Sequence, residues 1–211
     1  MKRYEQLLQL PIFQGVDPER IASLVEKIPF HFLKYADGEQ IIAQGDRCAE
    51  LCFVMSGGVT VTTPLSSEHI RLEQQVVAPA VLGFENMFGI CTTHRYSAVA
   101  HESCGVMKVP KADFVQLMQA DKVILFNILN MLSSGKQREL ERRLAHPGTS
   151  GADRVVQLCA AFSIPGASAT TLHFDNNELC DLVKAEWSDL LKSLRRNKAV
   201  AKATASQIIF T

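Results

Sequence analysis

Short apolar stretches separated by glycine-containing turns fill residues 32–62, and this pattern constrains the fold more than any other feature. The turns are expected at 35–39, 44–46 and 56–58, where glycine supplies the positive φ that tight turns need. Regularly spaced short strands of this kind predict a β-sandwich or a barrel-like roll. The expected strands are 41–42, 51–55, 59–62, 72–77, 97–100 and 105–109.

Composition excludes several classes of protein. Hydrophobic residues make up 47% of the 211 residues, which is enough to fill the core of one large or two small domains. The formal net charge is zero, so any nucleic-acid binding must come from local charge. No apolar run is long enough to cross a bilayer, and the polar start does not resemble a signal peptide. We therefore predict a cytoplasmic protein with no membrane partner.

The cysteines and histidines give no support to a metal centre or an enzyme. The six cysteines are scattered without a C-x-x-C pair, and His94 near Cys91 does not complete a metal site. No nucleophile and base have usable spacing, and Ser97 with His94 is too small a basis for catalysis. The sequence predicts neither metal ligands nor catalytic residues.

A candidate binding site is formed by two nearby segments, residues 81–88 and residues 94–100. Gly83 allows backbone to approach a ligand, and a turn there can gather N–H groups into an anion-binding nest. Arg95 offers a bidentate fork for phosphate, Ser97 a hydroxyl donor, and Glu85 an acceptor for sugar hydroxyls. The pattern suggests a sugar phosphate that is held but not transformed. The alternative is a hairpin loop with a surface arginine.

A long helix is predicted after the strands. Residues 4–30 read as short helices, one of them capped by Asp17, whereas Asp121 is the expected N-cap of the long helix. Its early turns are apolar on more than one side, so a second surface must cover them, and a homodimer seam is the simplest cover. The alternative is a helix buried within a monomer. The leucines that define the stripe are Leu125, Leu129, Leu132, Leu140 and Leu144.

The C-terminal part begins after a linker at 146–151, where proline and glycines mark a boundary. Helix 152–162 and strand 172–174 come first. A helix capped by Asn176 or Asn177, a turn at 184–185, a second helix at 187–196 and a hairpin within 203–210 then follow. Helix, turn, helix and hairpin in this order predict a winged helix-turn-helix.

Two of these patterns resemble a known family. The run Gly38-x6-Gly45-Asp46-x4-Leu51-x-Phe53-Val54-x-Ser56-Gly57-x-Val59-x-Val61 resembles the cyclic-nucleotide-binding β-roll, and the whole layout resembles the CRP/FNR bacterial transcription regulators. The resemblance implies an α+β fold with three parts. These are a jelly-roll-like double-stranded β-roll sensor domain at 1–120, a dimerisation helix at 121–145 and a winged helix-turn-helix domain at 151–211.

The resemblance also implies functional residues. The effector would be cyclic AMP or another small anion. Ser133 and Ser134 on the long helix would face its base, or else both would point to solvent. The implied ligand-binding residues are Gly83, Phe84, Glu85, Arg95, Ser97, Ala98, Ser133 and Ser134. The implied DNA-binding residues are Trp187, Ser188, Lys192, Arg195 and Arg196.

Departures from the family pattern shape the expected function. Phe84 stands between Gly83 and Glu85, and Tyr96 stands between Arg95 and Ser97. The second helix begins Glu186-Trp187-Ser188 and lacks the family's base-reading arginine and glutamate. We expect an effector-responsive homodimeric regulator that binds promoter operator DNA through phosphate contacts with modest sequence specificity. The alternative is a degenerate module that acts by protein contact without specific DNA binding.

Overall fold

The computed structural model describes residues 7–28, 30–145 and 148–210, apart from the side chain of Arg142. They form two compact units. The N-terminal unit comprises residues 1–59 and 77–135, and the C-terminal unit comprises 60–76 and 136–211. Residues 60–76 thus group with the C-terminal half, whereas the division at 120 and 151 stays a prediction from sequence.

The structure contains nine strands and six α-helices within its described residues. The strands are β1 (His31–Tyr35), β2 (Gln40–Ile42), β3 (Glu50–Ser67), β4 (Ile70–Val77), β5 (Ala80–Leu82), β6 (Ser97–Pro110), β7 (Ala167–His173), β8 (Val200–Ala203) and β9 (Gln207–Phe210). The helices are α1 (Pro18–Lys27), α2 (Lys111–Ala120), α3 (Lys122–Ala145), α4 (Gly151–Ala161), α5 (Asn176–Val183) and α6 (Trp187–Arg196). Among these, no helix is both long and apolar enough to cross a membrane.

In the N-terminal unit, β6 pairs antiparallel with β1 and β2, and β3 pairs antiparallel with β5. The largest side chains buried in its core are Phe13, Phe53 and Phe114. Helix α3 contributes Ile124 and Ile128 to the same core. Its start is capped by Asp121, whose carboxylate accepts from the Val123 N–H at 2.8 Å, as the sequence predicted. The antiparallel roll with flanking helices agrees with the expected mixture of helices and strands.

The predicted turn at 56–58 is wrong, because β3 continues through it as one strand. Gly57 has a φ of +76° there, and a Cβ at this position would collide with the Ser103 carbonyl oxygen. Glycine is therefore required by the close approach of β6 and not by a chain reversal. Likewise, the stretches 97–100 and 105–109 belong to a single strand, β6.

The C-terminal unit contains the second half of β3 followed by β4, β7, β9 and β8 in that order across the sheet. Helices α4, α5 and α6 share its apolar core, in which Leu179, Val183, Leu190 and Leu194 are buried.

The predicted cap of α5 at Asn176 or Asn177 is wrong. Asp175 caps the helix, and its carboxylate accepts from the N–H groups of Asn177 at 2.9 Å and Glu178 at 3.2 Å. The three polar residues in a row offered the sequence several equivalent caps. At α1, by contrast, the predicted cap Asp17 is confirmed.

Candidate functional site

The sharp bend at Gly83 connects β5 to a short 3₁₀ helix, Phe84–Asn86. Gly83 has a φ of +87°, and a Cβ there would lie 3.1 Å from the His94 ring and 3.3 Å from the Cys48 sulfur. Only glycine therefore fits without displacing a neighbour. Burial raises the pKa of the Cys48 thiol to about 11, so the thiol stays protonated and donates to the Gly83 carbonyl at 3.3 Å.

The hydroxyl of Tyr96 binds the Gly83 N–H, the backbone donor that the sequence predicted would bind an anion. The Gly83 N–H donates to the Tyr96 hydroxyl oxygen at 2.7 Å, and Tyr96 is only 3% exposed. The hydroxyl also hydrogen-bonds the Glu85 carboxylate, to which it donates its proton. Gly83, Tyr96 and Glu85 are thus linked through the Tyr96 hydroxyl, and we call them the Tyr96 cluster.

The electrostatics of the Tyr96 cluster do not favour an incoming anion. Desolvation raises the pKa of Glu85, an effect that its backbone and Tyr96 hydrogen bonds partly oppose. Because the residue is exposed over more than a third of its surface, water moderates this effect. Desolvation and the neighbouring Glu85 charge raise the pKa of Tyr96 well above its usual range, so the phenol stays neutral. A neutral hydroxyl therefore occupies the Gly83 N–H, and the Glu85 carboxylate interacts with that hydroxyl.

His94 is a neighbour of the cluster whose role sequence reasoning missed. Its ring centroid lies 5.9 Å from that of Tyr96, and the residue is only 7% exposed. Desolvation lowers its pKa, the Asp46 charge raises it, and the Lys108 charge lowers it further. Within the described residues its Nδ1 has no hydrogen-bond partner. A histidine next to a predicted loop gives no sequence signal for burial, because loops usually run along the surface.

Strand alternation explains where the remaining ligand candidates lie. Tyr96, Ala98 and Ala100 are buried on one face of the chain, whereas Arg95 is exposed and Ser97 half-buried. The Ser97 hydroxyl accepts from the Gln44 N–H at 3.2 Å and does not meet the Tyr96 cluster. Arg95 interacts with the exposed Cys91 thiol, whose pKa is lowered first by hydrogen bonds from Thr93 and then by Arg95. The structure does not bring Arg95 and Glu85 together.

The other predicted ligand residues have different environments. Phe84 packs edge-on against Phe114, with ring centroids 6.4 Å apart, and so contributes to the core of the N-terminal unit. Ser133 is exposed and Ser134 half-buried on α3, and the described hydrogen bonds connect neither of them to Gly83. Neither their predicted role in sensing a base nor their predicted exposure to solvent is tested by this placement.

In the C-terminal unit, the turn between α5 and α6 depends on Lys184 and Arg154. Lys184 adopts the left-handed conformation, with φ 51° and ψ 53°, which favours glycine. The Arg154 guanidinium donates to the carbonyls of Val183 at 2.6 Å, Lys184 at 3.2 Å and Gly148 at 3.0 Å. These bonds satisfy carbonyls that the end of α5 leaves free.

Helix α6 exposes a basic outer face. Leu190 and Leu194 anchor the inner face, whereas Lys192, Arg195 and Arg196 are exposed. A surface pocket of about 420 Å³ follows this face, and its lining residues are Ser150, Asp189, Lys192, Ser193, Arg196 and Asn197. Ser188 is also exposed, but Trp187 is half-buried and packs on Phe174 with ring centroids 5.8 Å apart. Trp187 therefore contributes to the core of the C-terminal unit, and its role in DNA binding stays a prediction.

The first part of the chain matches a described protein family. Residues 32–121 match the family described as Cyclic nucleotide-binding domain. The sequence matches no curated protein.

Solved structures with the same fold include transcription regulators. The Catabolite Activator Protein of Thermus thermophilus is 20% identical, with a TM-score of 0.56 over 96% of this chain and 94% of that chain. The sensor domain of the transcriptional regulator DNR from Pseudomonas aeruginosa is 14% identical, with a TM-score of 0.56 over 65% of this chain and 90% of that chain. At this level of identity the likeness shows the fold alone. The expected resemblance to CRP/FNR-type regulators is confirmed at that level.

At the loop around Gly83, the residues that meet in the structure differ in part from those predicted to meet there. Gly83 and Glu85 do come together, and Tyr96 joins them, whereas the predicted partners Arg95 and Ser97 lie elsewhere. The signal that could have found Tyr96 is the spacing of two to Ala98 and four to Ala100, which places all three on one face of a strand.

Proposed function

We propose that the chain is a cytoplasmic, homodimeric DNA-binding transcription regulator whose cyclic nucleotide-binding domain responds to a small effector. The observation that carries the proposal is the basic outer face of α6, on a helix that its apolar side fixes to the core. From Lys184 to the end of the chain there are six Lys or Arg and two Asp or Glu, a balance of +4. A local basic surface on a helix-turn-helix-hairpin unit is the electrostatic pattern of a DNA-binding module.

Phosphate contacts dominate the proposed binding mode. Lys192 and Arg196 line the same pocket, and Arg195 lies beside them on the exposed side of the helix. Asp189 lies 3.4 Å from the Lys192 ammonium, and both side chains are mostly exposed, so this pair offers little resistance to a phosphate. Such contacts set affinity and register without reading bases, which predicts strong salt dependence and modest sequence specificity.

A homodimer is supported by the outer face of α3. Ile124 and Ile128 are buried in the roll core, but Phe126, Leu129 and Leu132 are 61%, 47% and 51% exposed. An apolar stripe of this size on one helix is expected to be covered in solution. A second copy of the same helix covers it symmetrically, which gives two DNA-binding units per particle.

The sequence predicts an anionic effector, and its binding at Gly83 would require side chains to move. To bind at Gly83 it must displace the Tyr96 hydroxyl from the Gly83 N–H, and Arg95 must turn from solvent to meet it. We therefore propose responsiveness to a small effector without assigning it a phosphate group. Calorimetric titration with cyclic AMP tests the anionic case. Measurable binding that Arg95→Ala weakens by about 1.5–3 kcal/mol of free energy would support the anionic case. If the titration gives no heat, cyclic AMP is not the effector.

Fluorescence anisotropy with labelled duplex DNA tests the DNA-binding function. Arg195→Ala combined with Arg196→Ala should weaken binding to all sequences and flatten the dependence of log affinity on log salt. The matched control combines Lys34→Ala with Lys122→Ala, which removes two exposed charges from the N-terminal unit. Equal loss in both double variants would indicate a bulk charge effect and contradict the assignment to α6.

A second function has its own support. Glu186 and Asp189 place acidic groups at the start of α6, and Trp187 is turned into the core, so the first turn offers no cation to DNA. This favours a module that acts by protein contact. Absence of DNA binding even at low salt, with an intact dimer, would decide for that function.

A further inference from the structure

The C-terminal unit takes one strand of its sheet from the middle of the chain. Strand β4 pairs antiparallel with β7, in a register that runs from Arg71 opposite His173 to Val76 opposite Ala167. On its other side β7 pairs with β9. Without β4, an entire edge of β7 would be left without backbone partners.

The inward side chains of β4 belong to the core beneath α6. Ile70 and Leu72 are both 0% exposed, and they share one apolar cluster with Leu172, Leu190 and Leu194. The last two residues anchor α6 to the unit. The core that holds the basic helix is therefore incomplete unless β4 is in place.

A buried amide fixes β4 to the loop before β7 in one register. Gln74 is 0% exposed, and its Oε1 accepts from the Ile164 N–H at 3.1 Å. Its Nε2 donates to the hydroxyls of Ser163 at 3.4 Å and Thr170 at 3.3 Å. Because each polar atom of this amide is paired, a shift of β4 by one residue would leave several buried groups without partners.

Polar contacts also join the hairpin tip to α5. Both Ser67 and His69 hydrogen-bond the carboxylate of Glu178, with His69 Nδ1 at 2.8 Å from Glu178 Oε1. Further along, the Ser168 hydroxyl donates to the Gln75 carbonyl at 3.2 Å. The contacts thus extend from the tip of the hairpin to the far end of β4.

We propose that β4 is an obligatory strand of the C-terminal unit, and that its docking on β7 controls whether α6 is held in its DNA-binding position. The segment 60–76 continues directly into the N-terminal unit at both of its ends. Gly83 follows Val76 by only a few residues, through β5. A change of backbone at the Tyr96 cluster therefore has a short covalent path to β4. The consequence for DNA rests on the proposed function, whereas the dependence of the fold on β4 does not.

Hydrogen exchange of the full-length chain tests the docking. Gln74→Ala removes the acceptor of the Ile164 N–H, so local opening should become more frequent. Exchange at Ile164 and along β7 and α6 should accelerate by roughly 10- to 100-fold, the scale set by a buried donor left unpaired. The matched control is Arg71→Ala, an exposed position on the same strand, which should leave these rates within about 2-fold of wild type. Amides of β1 and β6 should be unaffected in both variants.

If Gln74→Ala does not fold, Thr170→Val combined with Ser168→Ala weakens the same docking from the β7 side. This double variant should also accelerate exchange along β7 and α6. Unchanged exchange in β7 and α6 would overturn the proposal. Faster exchange with wild-type DNA affinity would overturn its control of α6. If the wild-type chain binds no DNA at all, the proposed DNA function falls, and the exchange rates alone still decide whether β4 is obligatory.

Discussion

Replacing Tyr96 by phenylalanine is the sharpest test of the cluster at the Gly83 bend. The variant keeps the buried ring and removes only the hydroxyl that accepts from the Gly83 N–H at 2.7 Å. That N–H is buried and has no other partner in the described hydrogen bonds, so it loses its only acceptor. The Glu85 carboxylate loses a donor at the same time.

The expected cost follows from these two losses. A buried donor left unpaired costs about 1–3 kcal/mol. The Glu85 contribution is smaller, because more than a third of the residue is exposed and water can replace part of the lost donor. A cost of about 2 kcal/mol lowers the melting temperature of a chain of this size by about 4–8 °C.

Two measurements check this value. Urea denaturation followed by circular dichroism gives the change in the free energy of unfolding, and hydrogen exchange gives the protection of the Gly83 amide itself. Tyr35→Phe is the control, because its half-exposed hydroxyl should cost less than about 1 kcal/mol. If Tyr96→Phe is as stable as the wild type and the Gly83 amide exchanges no faster, the hydroxyl does not hold this bend, and the N–H is available to a ligand after all.

Three further predictions concern other positions. Lys184→Gly should raise the free energy of unfolding by up to about 1 kcal/mol relative to Lys184→Ala, because only glycine adopts φ 51° without strain; equal stability of the two variants in urea would contradict this. Leu129→Glu should convert the dimer to a monomer at micromolar concentration in light scattering, whereas Asn130→Glu, an exposed neighbour, should not. His94→Asn should lose less stability than the wild type between pH 7 and pH 5. Desolvation lowers the folded-state pKa of His94, so the wild-type chain loses stability as the pH falls through the unfolded value near 6.5, and parallel pH profiles would refute the assignment.

Much of the fold could be predicted because the sequence carries local signals for it. Helix α6 begins and ends at the predicted residues, and Asp17 and Asp121 cap the helices that they precede. These signals depend on residues close in sequence, and capping and helical periodicity need no knowledge of the rest of the chain.

The errors share a different physical cause, which is contact between distant segments. Gly57 was predicted to lie in a turn. The actual reason for glycine there is the Ser103 carbonyl, which leaves no room for a side chain and lies 46 positions away in the chain. Pairing of β4 with β7 left no local trace either. At the candidate site, the sequence favoured Arg95 for its chemistry, but in the bend that leads into β6 Tyr96 is buried and Arg95 is exposed. A shift of one residue in a strand exchanges its two faces, so residue type alone could not decide between them.

The packing of Trp187 on Phe174 has a practical consequence for spectroscopy. Trp187 is the only tryptophan in the chain, and it lies in the C-terminal unit. Excitation at the red edge of the indole band therefore reports on that unit alone, whereas Tyr35 and Tyr96 belong to the N-terminal unit. The natural chain thus carries a separate optical probe for each unit, and the order in which the two units melt can be followed without a label or a substitution.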